Sequence, residues 1–337
     1  MNVLVSSAGR RGALIRLIRE TVQPRGGCVY AVDAAPWSSA CRLADEWRVV
    51  PPFSDANFFD SIVSFCKQRD IRLIVPTHDC ELPVYAKLRP LFHELGIHVA
   101  CSGSATIQIA RNKHDTAKFL RQAGLPAPAE IDLDRALRGD TTLPYPLVVK
   151  PSDGSGSRGV QIVTDAEELT FYLRRTTNPI VQQCAEGREY TTNLFVNRSH
   201  RCLVAVPHWR VETRGGEVSK CMTVRHPSLI DLASRLADAL PDPYGALCFQ
   251  AFVSSDGQAQ VIEINARFGG GYPIAHQAGA NFVQMLIDDV EGREVSQPDW
   301  SDGLAMTRWD DAVFWHPQQE TAAPELTAGE SNLRRVA

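Results

Sequence analysis

Short apolar runs and stretches of helical period alternate through the first hundred residues, and this pattern restricts the fold more than any other feature of the chain. An apolar run at 2–6 meets the turn Ser6-Ser7-Ala8-Gly9-Arg10-Arg11-Gly12, and a helical period follows over 13–21. Strand patterns at 28–32, 73–75 and 98–101 are separated by helical patterns at 57–69 and 82–95. Strands that return through helices run parallel, because a parallel pair needs a long crossover. The region therefore predicts an α/β lobe: a parallel sheet with helices on its faces. Its functional loops lie beyond the carboxyl ends of the strands. Those loops hold residues 6–11, 33–35 and 77–81, and offer Arg10, His78, Asp79 and Glu81 to a substrate. The first loop has only Gly9 and Gly12 and lacks the spacing of a dinucleotide fingerprint. A nicotinamide-dependent dehydrogenase would rest on this lobe alone.

The remaining chain mixes both periods. Two short helices fill 104–124, and an apolar strand at 145–150 ends in Lys150. A glycine-serine loop, a strand at 160–163, a helix at 166–175 and a strand at 180–183 follow. Strands at 189–196 and 204–211, a loop over 214–220, and an amphipathic helix at 227–240 come next. A hairpin over 246–253 and 260–264 turns at Ser255-Asp256-Gly257, and a helix at 280–291 closes the pattern. No clear period continues beyond about 297.

The net charge of −4 supplies no basic field of the kind nucleic-acid binders use. An anionic ligand must be held by locally placed Lys, Arg and metal. Nine cysteines form no CxxC pair, and Cys66, Cys101 and Cys248 sit in apolar company. They read as reduced, buried thiols. The start reads as a strand rather than a signal peptide, and no apolar run reaches membrane-spanning length. A cytoplasmic protein with no membrane partner is expected.

Four constellations carry chemistry. In Lys150-Pro151-Ser152-Asp153-Gly154-Ser155-Gly156-Ser157-Arg158-Gly159, a strand-ending lysine precedes a flexible loop whose backbone N–H groups can cradle phosphate, with Ser155, Gly156 and Ser157 at its centre. It is not a P-loop, since the lysine comes first and the loop joins two strands. Glu263 and Asn265 lie two apart on a strand and share a face, and the turn at Asp256–Gly257 can set Gln250 beside Glu263. One carboxylate with amide oxygens suits Mg²⁺. Gln182-Gln183-Cys184-Ala185 and Glu189 can offer backbone groups to a base edge and a carboxylate to ribose hydroxyls. Arg210, Arg214, Lys220 and Arg225 can bring positive charge to a phosphate or an acceptor. The same features also fit a surface turn, a polar strand face, an ordinary linker and a solvated basic loop.

Taken in order, Asn112-Lys113 before a helix, Tyr-Pro-Leu-Val-Val-Lys-Pro-Ser-Asp-Gly-Ser-Gly-Ser-Arg-Gly-Val, Val-Gln-Gln-Cys-Ala-Glu-Gly-Arg-Glu-Tyr and Val-Ile-Glu-Ile-Asn-Ala-Arg-Phe-Gly-Gly-Gly-Tyr-Pro resemble the ATP-grasp superfamily. The likeness is nearest to its carbamoyl-phosphate-synthase-like and carboxylate-amine ligase members, over roughly 1–295. It implies a Rossmann-like pre-ATP-grasp lobe at 1–108, a small lid at 109–182, a large lobe at 183–300 and a tail at 301–337. It implies ATP with Mg²⁺, Mn²⁺ being the alternative ion. Lys113, Lys150 and the 152–159 loop would contact phosphates, Gln182, Gln183, Cys184 and Ala185 the adenine, and Glu189 the ribose. Gln250, Glu263 and Asn265 would hold metal, while Arg267 and Lys220 are the candidate catalytic cations. Arg10, His78, Asp79, Glu81, Arg210, Arg214, Arg267, Gly270 and Tyr272 are the substrate candidates. Many members carry a carboxylate where Gln250 stands, so one metal ion is expected to be held less tightly. The resemblance also suggests a homodimer.

The activity this implies is ATP-dependent joining of a carboxylate to an amine through an acyl phosphate, on amino-acid or small-peptide substrates. Carboxylate activation for a thiol, hydroxyl or other acceptor, bicarbonate chemistry included, and a regulatory protein that binds nucleotide without turnover, remain open at this point. The arginine-rich candidate set points to carboxylate-bearing substrates. Cys221 beside Lys220 is assigned no role, because reactivity needs a stabilised thiolate.

Overall fold

The computed structural model describes residues 1–138, 140–154 and 156–316. Strands β1 (Asn2–Ser6), β2 (Val29–Asp33), β3 (Glu46–Val49), β4 (Ile71–Pro76) and β5 (His98–Val99) form a sheet in the order β3-β2-β1-β4-β5. Every neighbouring pair is parallel. Helices α1 (Gly12–Val22), α2 (Phe58–Gln68) and α3 (Leu82–Glu94) make the β1–β2, β3–β4 and β4–β5 crossovers, and a single 3-10 turn at Ala40–Leu43 lies between β2 and β3. Val3, Leu4 and Val5 of β1 are fully buried, as a central strand covered on both faces requires. Edge strand β3 escapes the sequence pattern because all four of its residues are only half-buried.

Helices α4 (Ser104–Arg111) and α5 (Lys113–Gln122) lead out of this sheet. The Asn112 side chain accepts from the His114 and Asp115 backbone N–H groups and fixes the start of α5. Then come α6 (Leu133–Leu137), β6 (Leu147–Pro151), β7 (Gln161–Val163), α7 (Ala166–Leu173) and β8 (Pro179–Gln183). The strands form an antiparallel sheet, β7-β6-β8, over a core of their own built from Leu147, Val149, Val163, Leu169 and Val181.

The last unit comprises β9 (Arg188–Val196), β10 (Cys202–Arg214), β11 (Glu217–Thr223), α8 (Pro227–Ala239), β12 (Gly245–Val253), β13 (Ala259–Asn265), α9 (Tyr272–Gln277), α10 (Phe282–Val290) and β14 (Ala305–Thr307). Its strands form a six-stranded sheet in the order β13-β12-β9-β10-β11-β14. The loop expected at 214–220 is instead a hairpin: β10 and β11 run to a two-residue turn, with Gly215 at φ 59° and Gly216 at φ 78°. Both angles are those of the turn that matches strand twist. The aperiodic tail supplies β14, which pairs with β11 through Lys220, Cys221 and Met222. This sheet and the parallel one share apolar cores, in which Leu4 and Tyr85 join Leu194, Leu232 and Phe249. None of the nine cysteines is in a disulfide. Among the described residues, no helix is long and apolar enough to cross a membrane.

Candidate active site

A cleft of ≈ 300 Å³ lies between the three-stranded and six-stranded sheets. Lys113, at the start of α5, donates through Nζ to the Gly154 carbonyl and through its backbone N–H to Ser152 O, at 2.8 Å. The glycine-serine loop is thereby tied to α5. Lys150 ends β6 and is buried. Burial pushes its ammonium down to about 8, the Lys113 charge acts in the same direction, and Glu263 partly opposes both. Among the described residues the Lys150 ammonium has no hydrogen-bond or ion-pair partner, and it lines the cleft. Gly156 and Ser157 line the same space, at φ 64° and 57°; Ser155 lies outside the described residues.

The opposite wall is the β12–β13 hairpin, where Gln250 and Glu263 are direct cross-strand partners. The register then slips, because Ala251 faces Val261 and Ile262 is left as the extra residue of a bulge. Strict alternation would turn Ile262 away from the side that Glu263 faces; the bulge lets both line the cleft. Glu263 Oε1 lies 3.5 Å from Asn265 Nδ2, while Asn265 Oδ1 accepts from Arg267 at 3.1 Å. An amide oxygen has two lone pairs, so the Arg267 bond leaves it one for a cation. Among the described residues no group of three or more His, Cys, Asp or Glu side chains gathers as a metal site. One carboxylate with two amides fits a hard cation that completes its shell with water and phosphate.

Gln182, Gln183, Cys184 and Ala185 form the rim where β8 leaves the small sheet. Val148 and Ile162 on that side face Phe252 and Ile262 across the gap, and Ile162 is 65% exposed. Glu189 and Arg210, expected in separate roles, form an ion pair at 3.0 Å. Burial raises the Glu189 carboxyl pKa and Arg210 opposes this. Arg210 also donates to Thr191 Oγ1 and to Gly216 O, at 3.1 and 3.0 Å. The hairpin turn therefore rests against the glycine-serine loop: a Cβ on Gly216 would lie 2.4 Å from the Gly156 carbonyl carbon.

Arg267 reaches out of the large sheet to the first lobe, where it pairs with Asp79 at 2.7 Å. Arg10, Arg214, Gly270 and Tyr272 line a second cavity, of ≈ 460 Å³. The Tyr272 ring is nonetheless buried, with its hydroxyl 3.0 Å from His276 Nδ1 and accepting from Phe282 N–H at 2.9 Å. Other candidates are placed elsewhere. Glu81 is fully buried and accepts from the Ser6 and Ser7 hydroxyls and the Thr77 and His78 N–H groups, so it shapes two loops rather than facing a substrate. His78 stacks on Phe53 and accepts from Cys80 N–H. Lys220 is turned outward, paired with Glu212 at 2.7 Å, because strand alternation sends its neighbour Cys221 inward. Burial pushes the Cys221 thiol up to about 11, away from thiolate chemistry. Sequence reasoning missed Phe252, Ile262, Arg11 and Arg308. Arg11 stood in a loop already marked as functional; Arg308 lies in the aperiodic tail and gave no signal.

Residues 110–271 match the family model of the ATP-grasp domain, and residues 3–100 match the PylC-like, N-terminal domain. The chain is 23% identical over 326 residues to the phosphoribosylamine–glycine ligase of Methanosphaera stadtmanae, covering 86% of this chain and 70% of that one. Among solved structures, a biotin carboxylase–βγ-ATP complex from Campylobacter jejuni superposes with a TM-score of 0.72 at 14% identity, covering 89% of this chain and 73% of that one. The L-amino acid ligase of Bacillus licheniformis gives 0.66 at 21% identity, over 86% and 74% of the two chains.

Proposed function

We propose that this chain, which belongs to the ATP-grasp superfamily of ADP-forming ligases, joins a carboxylate to an amine through an acyl phosphate, using ATP and Mg²⁺. One observation carries the reading. A single cleft has two lysines and a glycine-serine loop on one wall and the Gln250–Glu263 pair on the other. Two of the similar proteins are ligases with an amino-acid substrate in their names. That favours amino acids or small peptides here.

In this reading the adenine lies between Val148 and Ile162 on one side and Phe252 and Ile262 on the other, a gap with two apolar walls. The backbone from Gln182 to Ala185 meets its edge, and Glu189, steadied by Arg210, meets the ribose. Lys113 and Lys150 hold the phosphates, and the 152–159 loop covers them. Glu263, with Gln250 and Asn265, would hold Mg²⁺, which would draw charge from the transferred phosphate. Arg267 is fixed by Asp79 and Asn265, so its cation is already oriented when the substrate carboxylate attacks the γ-phosphoryl group. The amine then displaces phosphate. No side-chain nucleophile is required, and positioning with charge neutralisation does the catalysis.

The test is turnover of the purified chain with ATP, Mg²⁺ and pooled amino acids. ADP and phosphate should appear, with a product whose mass equals two substrates less water. AMP would contradict the acyl-phosphate route, and intact ATP binding with no phosphate release from any pool would favour a regulatory protein. Glu263→Gln should keep the fold and lower turnover by about a hundredfold or more, as loss of a charge-stabilising group in a catalytic site does. An unchanged rate would remove Glu263 from the metal site.

A further inference from the structure

The second cavity is lined in part by Gly269 and Gly270, which follow Arg267 in the chain, and its charge is not balanced. Five arginines line it: Arg10, Arg11, Arg16, Arg214 and Arg308. Three carboxylates line it too, and each already has an arginine. Asp311 pairs with Arg16 at 2.9 Å, Asp310 with Arg214 at 2.5 Å, and Glu217 with Arg308 at 3.3 Å. Arg10 and Arg11 are left over. Among the described residues neither guanidinium has a hydrogen-bond or ion-pair partner. Arg10 is exposed, but Arg11 is half-buried beside the like charge of Arg267. Burial lowers its pKa first and Arg267 second, against weaker opposition from Glu217 and Asp79. Withdrawing a charge from water without a counter-charge is costly, and the cost disappears when an anion binds. The first turn of α1, which begins at this cavity with Gly12, Ala13 and Leu14, holds no acidic residue to compete for that position.

We propose that this cavity is the acceptor pocket, and that it selects a small amine-bearing molecule with two negative charges, anchored on Arg11. The assignment rests on the ligase reading and deepens it. The lining also includes Met306, Thr307 and Arg308, which lie outside both matched spans. Arg308 donates to the Gly270 carbonyl, so it fixes the glycine run that follows Arg267. An anion on Arg11 therefore sits next to Arg267, where the proposed acyl phosphate forms, and its amine is held within the same pocket. The two free arginines match a dianion. An acidic amino acid and an amine carrying a phosphate monoester share this chemistry, because a guanidinium binds either group bidentately.

The test is equilibrium binding by calorimetry to the full chain with ADP and Mg²⁺ present. Glutamate, aspartate and O-phosphoethanolamine are compared with alanine and lysine. At least one dianion should bind about tenfold or more tighter than alanine, a difference of about 1.4 kcal/mol. Preference for glutamate or aspartate assigns a dicarboxylate, and preference for O-phosphoethanolamine assigns a phosphate ester. Equal affinity for alanine and every dianion overturns the proposal. Arg11→Gln should remove about tenfold or more of the dianion affinity while ADP affinity stays as in the parent. Arg11→Lys should restore part of it, which a purely structural role would not produce. Dianion affinity untouched by Arg11→Gln in a folded variant also overturns it. ADP binding is measured on its own in the same series: its absence counts against the ligase reading, whereas its presence without dianion selectivity counts against the pocket alone.

Discussion

At Lys150, burial and the neighbouring Lys113 push the ammonium down to about 8. The charged form predominates below that value and is the form that holds phosphate. ADP affinity should therefore be near its maximum at neutral pH and weaken above pH 8, approaching about tenfold per pH unit where one proton is linked to binding. Anion binding favours the charged form, so protons should be taken up on ADP binding near pH 8. Calorimetry across pH 6.5–9.5 in buffers of different ionisation enthalpy reads both effects, and Lys150→Gln should flatten the profile. A wild-type profile that is flat over this range would contradict the role given to Lys150. Gln250 and Glu263 could be paired in advance, since alternation and a tight turn determine them together. Ile262 could not, because its bulge arises from how β12 and β13 slip against each other. The free state of Arg11 was equally hidden: a loop motif locates an arginine, but only the folded chain shows whether a carboxylate reaches it.

The turn of the β10–β11 hairpin can be probed at its two glycines. Gly215 and Gly216 both have positive φ, but a Cβ on Gly215 would meet open space, whereas one on Gly216 would collide with Gly156. Either change to alanine should cost about 1 kcal/mol or more, since the backbone conformation is poor for a side chain. Only Gly216→Ala should also displace the glycine-serine loop and raise the KM for ATP. Thermal unfolding combined with ATP kinetics separates the two effects, and an equal KM in both variants would sink the contact between turn and loop. The Gly-Gly signal for this turn was present in the sequence. It was obscured because the strand ends beside it, Glu212, Arg214, Glu217 and Lys220, are exposed and charged and read as a polar loop. Edge strands β3 and β14 went unseen for a related reason: a strand with one neighbour and little burial leaves no periodic imprint.

For the whole molecule, the decisive division is between cores rather than sheets. The parallel sheet and the six-stranded sheet bury their side chains in common, through contacts such as Leu4 and Tyr85 with the Phe249 cluster, and Arg267–Asp79 crosses between them. The three-stranded sheet has a separate, smaller core from Ala136 to Val181. Parallel sheet and hairpin were legible because each has its own period; which units would share a core was not, since that depends on faces brought together from distant parts of the chain. The consequence is mechanical. Units with a shared core should open together, and a unit with its own small core should open at lower free energy. Hydrogen exchange without nucleotide should be faster in β6, β7 and β8 than in β1 and β9. Saturating ADP with Mg²⁺ should slow exchange selectively in β6 and β8, because the bound molecule would join the small sheet to β12 and β13. Uniform exchange across all three sheets, or protection that leaves β6 and β8 unchanged, would show that the small sheet does not act as a separate lid.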